Sequence, residues 1–270
     1  MNPAQSSGPH PLVALYSTPE VNRITGFATA AARLDADELT ALYYDLRTSA
    51  PRRHTKHKRY IEGRHGVTSS GHYSNRREEH LAVALRNAFN ETTQLQLPDS
   101  NTLRILDYQT PLKARRDDKG IGKIDLFGLI NEALPCVIEL KVPTASGRAD
   151  SPLRAFLEAF AYCAIVEANL GDIADEAMEQ FSCNMTRDRP ALMVLAAEDY
   201  WLSYLSHPKA GTWWSALEQL ADELATKMGL QSHFIALKDA DFEMGLAGKP
   251  PRLIGSCIAR TVADLSRELV

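Results

Sequence analysis

Apolar positions follow two different periods along this chain. Over residues 35–47 (DADELTALYYDLR), Leu39, Leu42, Tyr43 and Leu46 recur at i, i+3, i+4 and i+7, the spacing of one helix face. Asp35 stands where an N-cap is needed, and Pro51 follows the end. The pattern predicts a second helix over about 76–90 (RREEHLAVALRNAFN), capped by Ser74 or Asn75, with Leu81, Leu85, Ala88 and Phe89 as its apolar stripe. Three strand-like runs follow, at 103–109 (LRILDYQ), 123–130 (KIDLFGLI) and 136–142 (CVIELKV). Residues 131–135 between the last two read as a hairpin connection. A helix is predicted over 152–169, with Ser151 or Asp150 as cap and Pro152 in the first turn, where its missing N–H costs nothing. ALMVLAA (191–197) and SHFIALK (232–238) read as strands. TWWSALEQLADELATKMG (212–229) reads as an amphipathic helix stopped by Gly229. The order from residue 76 is α-β-β-β-α-β-α-β. It predicts an α/β fold with a mixed central β-sheet flanked by helices. Residues 1–33 show no firm period.

A length of 270 residues suits one large domain, or a core with a smaller appendage. A hydrophobic content of 44% supports a buried core. No apolar run approaches the ~18 residues of a membrane span, and the start lacks a signal-peptide pattern. A cytoplasmic protein without membrane contact is the expectation. Four cysteines lack CxxC spacing, which argues against a zinc ribbon, a redox motif or an iron–sulfur cluster. Cys136 and Cys163 read as small buried hydrophobes.

Charge changes the picture more. The chain totals -4, yet residues 47–77 hold nine basic residues against Glu62 alone. That is +8 locally and -12 for the remainder. Glycines and serines at 63–74 make much of this stretch a loop, and five of the eight histidines lie in or near it. His54-x-x-His57 could begin a metal site, but the cationic surroundings oppose a second cation, so a basic surface is the plainer reading. Arg52, Arg53, Lys56, Lys58 and Arg59 are its candidate phosphate-binding residues. Tyr43, Tyr44 and Tyr60 are weaker candidates for base stacking. Trp213 fits a core stripe, and Trp214 is left open.

Two apolar strands carry the remaining charges. Glu139 and Lys141 are two apart in CVIELKV, so they share a face, while Ile138, Leu140 and Val142 turn to the other. A hairpin centred on Glu132 sets Asp125 directly opposite Glu139, with Cβ atoms ~5 Å apart. Two facing carboxylates repel unless a cation lies near, and hard divalent cations favour such oxygens. A cross-strand ion pair without chemistry stays open as the alternative.

At these residues the sequence resembles the PD-(D/E)XK nuclease superfamily, in particular its RecB-like branch. The matching elements are Gly122-Lys123-Ile124-Asp125 (G-x-x-D), Glu139-Leu140-Lys141 ((D/E)-x-K) and, on the following helix, Glu158-Ala159-Phe160-Ala161-Tyr162, where the family shows Gln-x-x-x-Tyr. Ile124 replaces the usual Pro, and Glu158 the usual Gln. An earlier helix in the family often bears a metal-side Glu. Glu78 is the better placed of Glu78 and Glu79, since it lies on the Leu81–Leu85 side. The resemblance covers about residues 74–240. It implies a restriction-endonuclease-like core over 74–270, with 1–73 as an N-terminal extension of one helix and a basic loop. It also implies hydrolysis of nucleic-acid phosphodiesters, DNA favoured over RNA, with Mg²⁺ or Mn²⁺. In that reading Asp125, Glu139 and Glu78 hold metal. Lys141 is the catalytic cation, and Glu158 joins the catalytic group. Lys123 and Tyr162 join the nucleic-acid contacts. A homodimer or a partner protein stays open. The alternative from another class is a non-cleaving nucleic-acid-binding or assembly module with the same fold.

Overall fold

Two apolar strands joined by a tight turn form the centre of the sheet. β3 (Lys123–Ile130) and β4 (Leu134–Lys141) pair from Ile130↔Leu134 to Leu126↔Ile138. This register is centred on Glu132, as the hydrophobic pattern predicts. Asn131 and Glu132 both take left-handed φ, and the Ala133 N–H donates to the Ile130 carbonyl at 3.2 Å. Such a turn suits the natural twist of the strands. Side chains pin it: the Arg104 guanidinium donates to Glu132 at 2.9 Å, and the Asn131 amide oxygen accepts from the Thr102 N–H at 3.0 Å.

The computed structural model describes residues 8–62, 77–143, 150–207, 213–245 and 249–269. The helices are α1 (Pro11–Tyr16), α2 (Pro19–Asn22), α3 (Phe27–Ala31), α4 (Ala36–Ser49), α5 (Arg77–Ala88), α6 (Pro152–Ala168), α7 (Leu170–Phe181), α8 (Glu198–Leu205), α9 (Trp213–Met228) and α10 (Val262–Glu268). The strands are β1 (Leu95–Gln96), β2 (Thr102–Pro111), β3 (Lys123–Ile130), β4 (Leu134–Lys141), β5 (Ala191–Ala197), β6 (Ser232–Lys238), β7 (Asp241–Glu243), β8 (Arg252–Ile254) and β9 (Ile258–Thr261). Seven strands form one mixed sheet in the order β1-β2-β3-β4-β5-β6-β9, and β7 with β8 makes a separate ribbon. β1 to β4 run antiparallel, β4-β5-β6 parallel, and β9 closes the edge antiparallel to β6. Each parallel step needs a helical crossover: α6 and α7 before β5, α8 and α9 before β6.

Alternation along the central strands sorts two cores. Phe127, Leu129, Val137, Leu192 and Val194 pack under α6 and the N-terminal helices. Leu126, Ile138, Leu140, Met193 and Leu195 pack with Leu81 and Leu85 of α5. Cys136 and Cys163 are buried and unbridged.

The segment before residue 74 has more structure than the single helix expected there. Four α-helices and a 3-10 turn at His54–Lys56 occupy it. Leu12, Phe27, Leu39, Tyr43 and Tyr60 lie in the same core as Phe156 and Phe160 of α6, so the described part of this segment shares the core of the sheet. The irregular turns between these short helices explain why no long period was visible. The caps Ser74 and Asn75, the basic residues Arg64 and Arg76, and the boundary at 73/74 lie outside the described residues. Asp35 does cap α4, accepting from the Asp37 and Glu38 N–H groups. Ser151 caps α6. Trp213 is core, and Trp214 packs against Phe234 at 5.3 Å between centroids.

Residues 47–62 of the basic stretch fold against acidic α7, and Arg77 opens α5. Arg53 is buried; its Nε donates to the Arg59 carbonyl at 2.8 Å and its Nη1 to the Lys113 carbonyl at 2.5 Å. We therefore expect Arg53→Met to lower stability by about 1–2 kcal/mol, because two partly buried carbonyls lose their donor. Chemical denaturation measures this, and a change within about 0.5 kcal/mol, the usual range of exposed sites, would show that Arg53 is not structural.

Candidate functional site

The open end of the β3–β4 hairpin gathers the charged residues. β4 ends at Lys141, so its long side chain leaves the sheet where pairing stops. Lys141 Nζ lies 2.7 Å from Glu139 Oε1, 3.4 Å from Glu78 Oε1 and 4.0 Å from Asp125 Oδ2. Glu139 reaches it from the same strand face. Glu78 comes from the first turn of α5, which covers the opposite face of the sheet. The regular β3–β4 ladder stops at Leu126↔Ile138, and one further step in that register brings Asp125 level with Glu139. The Asp125 carboxylate is held from both sides. Its Oδ2 accepts from the Leu140 N–H at 3.0 Å, and its Oδ1 accepts from the Gln109 amide at 3.0 Å.

Glu158 and Tyr162 form an adjoining group. They face the same side of α6 at i, i+4, and the Tyr162 hydroxyl donates to Glu158 Oε1 at 2.7 Å. The Gly122 N–H donates to that hydroxyl at 3.1 Å. A Cβ at position 122 would collide with the Tyr162 oxygen, so the glycine of G-x-x-D is required by close approach. Arg154 sits between two acids, 2.7 Å from Asp150 and 3.9 Å from Glu158. Tyr16 of α1 donates to the Gly120 carbonyl at 2.7 Å and meets Tyr162 edge-on, so the N-terminal segment buttresses this corner.

Burial sets the electrostatics. It pushes the Glu139 carboxyl well above its usual range, and the charges of Asp125 and Glu158 add to this while Lys141 opposes it. Burial also raises Asp125 and Glu78, again against the pull of Lys141. For Lys141 burial alone would lower the pKa, but Glu139, Asp125 and Glu78 together outweigh it and hold the ammonium protonated. With all three carboxylates ionised, one ammonium leaves the group two negative charges in excess.

Among the described residues, no group of three or more His, Cys, Asp or Glu side chains is gathered closely enough to hold a metal ion. The donor chemistry nonetheless fits a hard divalent cation, since Asp125, Glu139 and Glu78 offer oxygen and, once ionised, outnumber the one ammonium beside them.

The expected nucleic-acid contacts separate into distinct roles. Arg53 is buried and structural, which does not fit a phosphate contact. Tyr162 is likewise buried, with its hydroxyl engaged on Glu158 and Gly122, so it offers nothing to bases. Arg59 pairs with Glu179 through both carboxylate oxygens, at 2.8 and 2.7 Å. Lys58 donates to the Ala114 carbonyl at 2.7 Å. Arg52 donates to the carbonyl of Ala168, at the C-terminal end of α6. His54 meets Glu176 and Asp172 of α7, at 3.0 and 3.4 Å. Lys56 and Lys123 are exposed and make no ion pair among the described residues. Ala168 lies ten residues beyond Glu158 on α6, roughly 15 Å at the helical rise, so Arg52 sits well away from Lys141. Tyr43 and Tyr60 are buried and cannot stack on bases, whereas Tyr44 is exposed. The residue that sequence reasoning missed is Gln109. The 112–122 connection is too long to fix the β2–β3 register from sequence, so its place beside Asp125 had no visible signal.

No family model, no curated protein and no solved structure matches the chain. The side-chain geometry therefore carries the functional argument.

A folded protein whose carboxyl pKa values are raised is most stable below the usual carboxylate range and loses that stability as pH rises through the raised values. A cation that binds the ionised carboxylates offsets the loss. We expect Mn²⁺ to raise the melting temperature, more at about pH 8 than at about pH 5.5, since binding must displace protons. Glu139→Gln should melt below wild type without metal, because buried Lys141 loses its closest carboxylate, and should lose the Mn²⁺ response. Thermal scans of both proteins across pH check this, and an equal Mn²⁺ response in Glu139→Gln would contradict it.

Proposed function

We propose that the chain is a divalent-cation-dependent nuclease of the PD-(D/E)XK type, with a restriction-endonuclease-like core, that hydrolyses nucleic-acid phosphodiesters, DNA favoured over RNA. One observation carries the reading. Glu78, Asp125 and Glu139, from an α-helix and two antiparallel strands, converge on Lys141 at the open end of one hairpin. The motif residues Gly122 and Tyr162 also meet, through the 3.1 Å bond, which supports the assignment of the flanking elements.

Asp125, Glu139 and Glu78 are the residues that would hold Mg²⁺ or Mn²⁺. The cation would supply charge neutralisation at the phosphate and a water of lowered pKa. The chain's own residues have narrower tasks. Lys141 is kept protonated by its neighbours, so it acts as a charge and hydrogen-bond donor towards a phosphate oxygen or the attacking water, not as a base in this arrangement. The Leu140 N–H and the Gln109 amide orient Asp125. Glu158, held by Tyr162, adds negative charge beside Glu139 and strengthens the demand for a cation.

A non-cleaving binding or assembly module is the second reading. It is favoured by the closed salt-bridge geometry around Lys141 and by the pairing of Arg59 and His54 with α7.

The two readings separate on a panel of supercoiled, linear and single-stranded DNA and RNA incubated with Mg²⁺, Mn²⁺ or EDTA. The nuclease reading expects cleavage with metal and none in EDTA. It also expects Lys141→Met to lose on the order of 10²–10³ in rate, the usual cost of removing one transition-state donor. Cleavage at the wild-type rate in Lys141→Met would remove the mechanism, and absence of cleavage on every substrate would favour the second reading.

A further inference from the structure

Gln109 lies inside β2, two residues before its end, with φ of +51°, in the left-handed region. Side chains other than Gly and Asn visit this region at a cost of roughly 1–2 kcal/mol. Six other non-glycine residues in the described structure take positive φ. His57 and Ser182 end helices, Ser100, Asn131 and Glu132 sit in turns, and Asp239 turns the chain after β6. Gln109 is the one that lies inside a strand, among the described residues.

Its neighbours remain regular. Tyr108 pairs with Leu126 and Thr110 with Ile124, so Gln109 stands level with Asp125, and Asp125 stands level with Glu139. The backbone departs from the strand at the row that carries the carboxylates, and the side-chain amide there donates to Asp125 Oδ1 at 3.0 Å. Together with the Leu140 N–H on Oδ2, it clamps the carboxylate from the two adjoining strands. Glu139 and Lys141 face the same carboxylate from β4.

We propose that Gln109 is a positioning residue of this site, held in a left-handed backbone so that its amide fixes the Asp125 carboxylate for a divalent cation. The proposal rests on the reading of Asp125 as a cation ligand. Outer partners of this kind orient the ligands, and their loss typically costs ~10–100-fold in metal affinity. The competing explanation is that the left-handed residue is a by-product of the nearby irregularity between Ile105 and Asp107, with no role at Asp125.

Two variants distinguish these. Gln109→Gly removes the amide and relieves the backbone, while Gln109→Met removes the donor and keeps the length and the strain. Mn²⁺ affinity is read by the electron paramagnetic resonance signal of free and bound ion and by calorimetry, alongside metal-free melting temperatures. We expect both variants to bind Mn²⁺ about 10-fold or more weakly, with Gln109→Gly melting at or above wild type. A by-product would behave differently: Gln109→Gly would gain stability and keep wild-type Mn²⁺ affinity, and that result overturns the proposal while leaving the nuclease reading intact. Absence of Mn²⁺ binding by wild type would overturn the ligand role of Asp125 and this proposal with it.

Discussion

The ammonium of Lys141 among three carboxylates is the interaction on which the arrangement of this protein's centre depends. Taking charged groups out of water costs several kcal/mol each, and only close opposite charge offsets it. Lys141 and Glu139 are both buried, so neither is tolerable without the other. Asp125 and Glu78 complete the surroundings, one from the adjoining strand and one from a helix on the far face of the sheet. The hairpin, the sheet and α5 therefore meet at one point for an electrostatic reason as well as an apolar one. When all three carboxylates ionise the group is negative, a condition that favours a cation from outside.

Strain and irregularity collect at this point. Regular pairing between β3 and β4 ends one residue short of Asp125, and β2 holds its left-handed residue on the same row. Gly122 is there because a larger residue would displace the Tyr162 hydroxyl. Apart from the register shift between Ile105 and Asp107, the central strands alternate faces and feed two cores. Local rules are commonly broken at working sites and obeyed around them, and this sheet follows that division.

The cationic stretch has a structural role that its composition conceals. Arg53 ties two loops together by their carbonyls, and Arg52 donates to a carbonyl at the end of α6. The buried carboxylate of Glu176 accepts from the Tyr60 and Ile61 N–H groups and meets His54. Among the described residues, part of that charge meets acids of α6 and α7: Arg47 pairs with Glu167 and Arg59 with Glu179. Such pairing fastens the N-terminal helices to the layer of α6 and α7 that covers one face of the sheet.

The sequence by itself determined the elements with strong periods. α4, α5, α6 and α9, together with β2 to β6, lie where the hydrophobic pattern places them, to within about two residues, because period 2 and period 3.6 are local properties of the chain. It also determined the β3–β4 register, since a short turn leaves one register that keeps both apolar faces buried. From that register follows the level placement of Asp125 and Glu139. Tertiary structure decided the rest. The short N-terminal helices were invisible because they are formed by packing on α6 rather than by a long stripe of their own. Burial separated Arg53 and Tyr162 from exposed Lys56 and Lys123, a distinction that residue type does not carry. Gln109 came to Asp125 through a β2–β3 register that an eleven-residue connection leaves free, and Glu78 came to Lys141 through the docking of a whole helix. Contacts between distant segments depend on how apolar faces pack in three dimensions, and no local period records that.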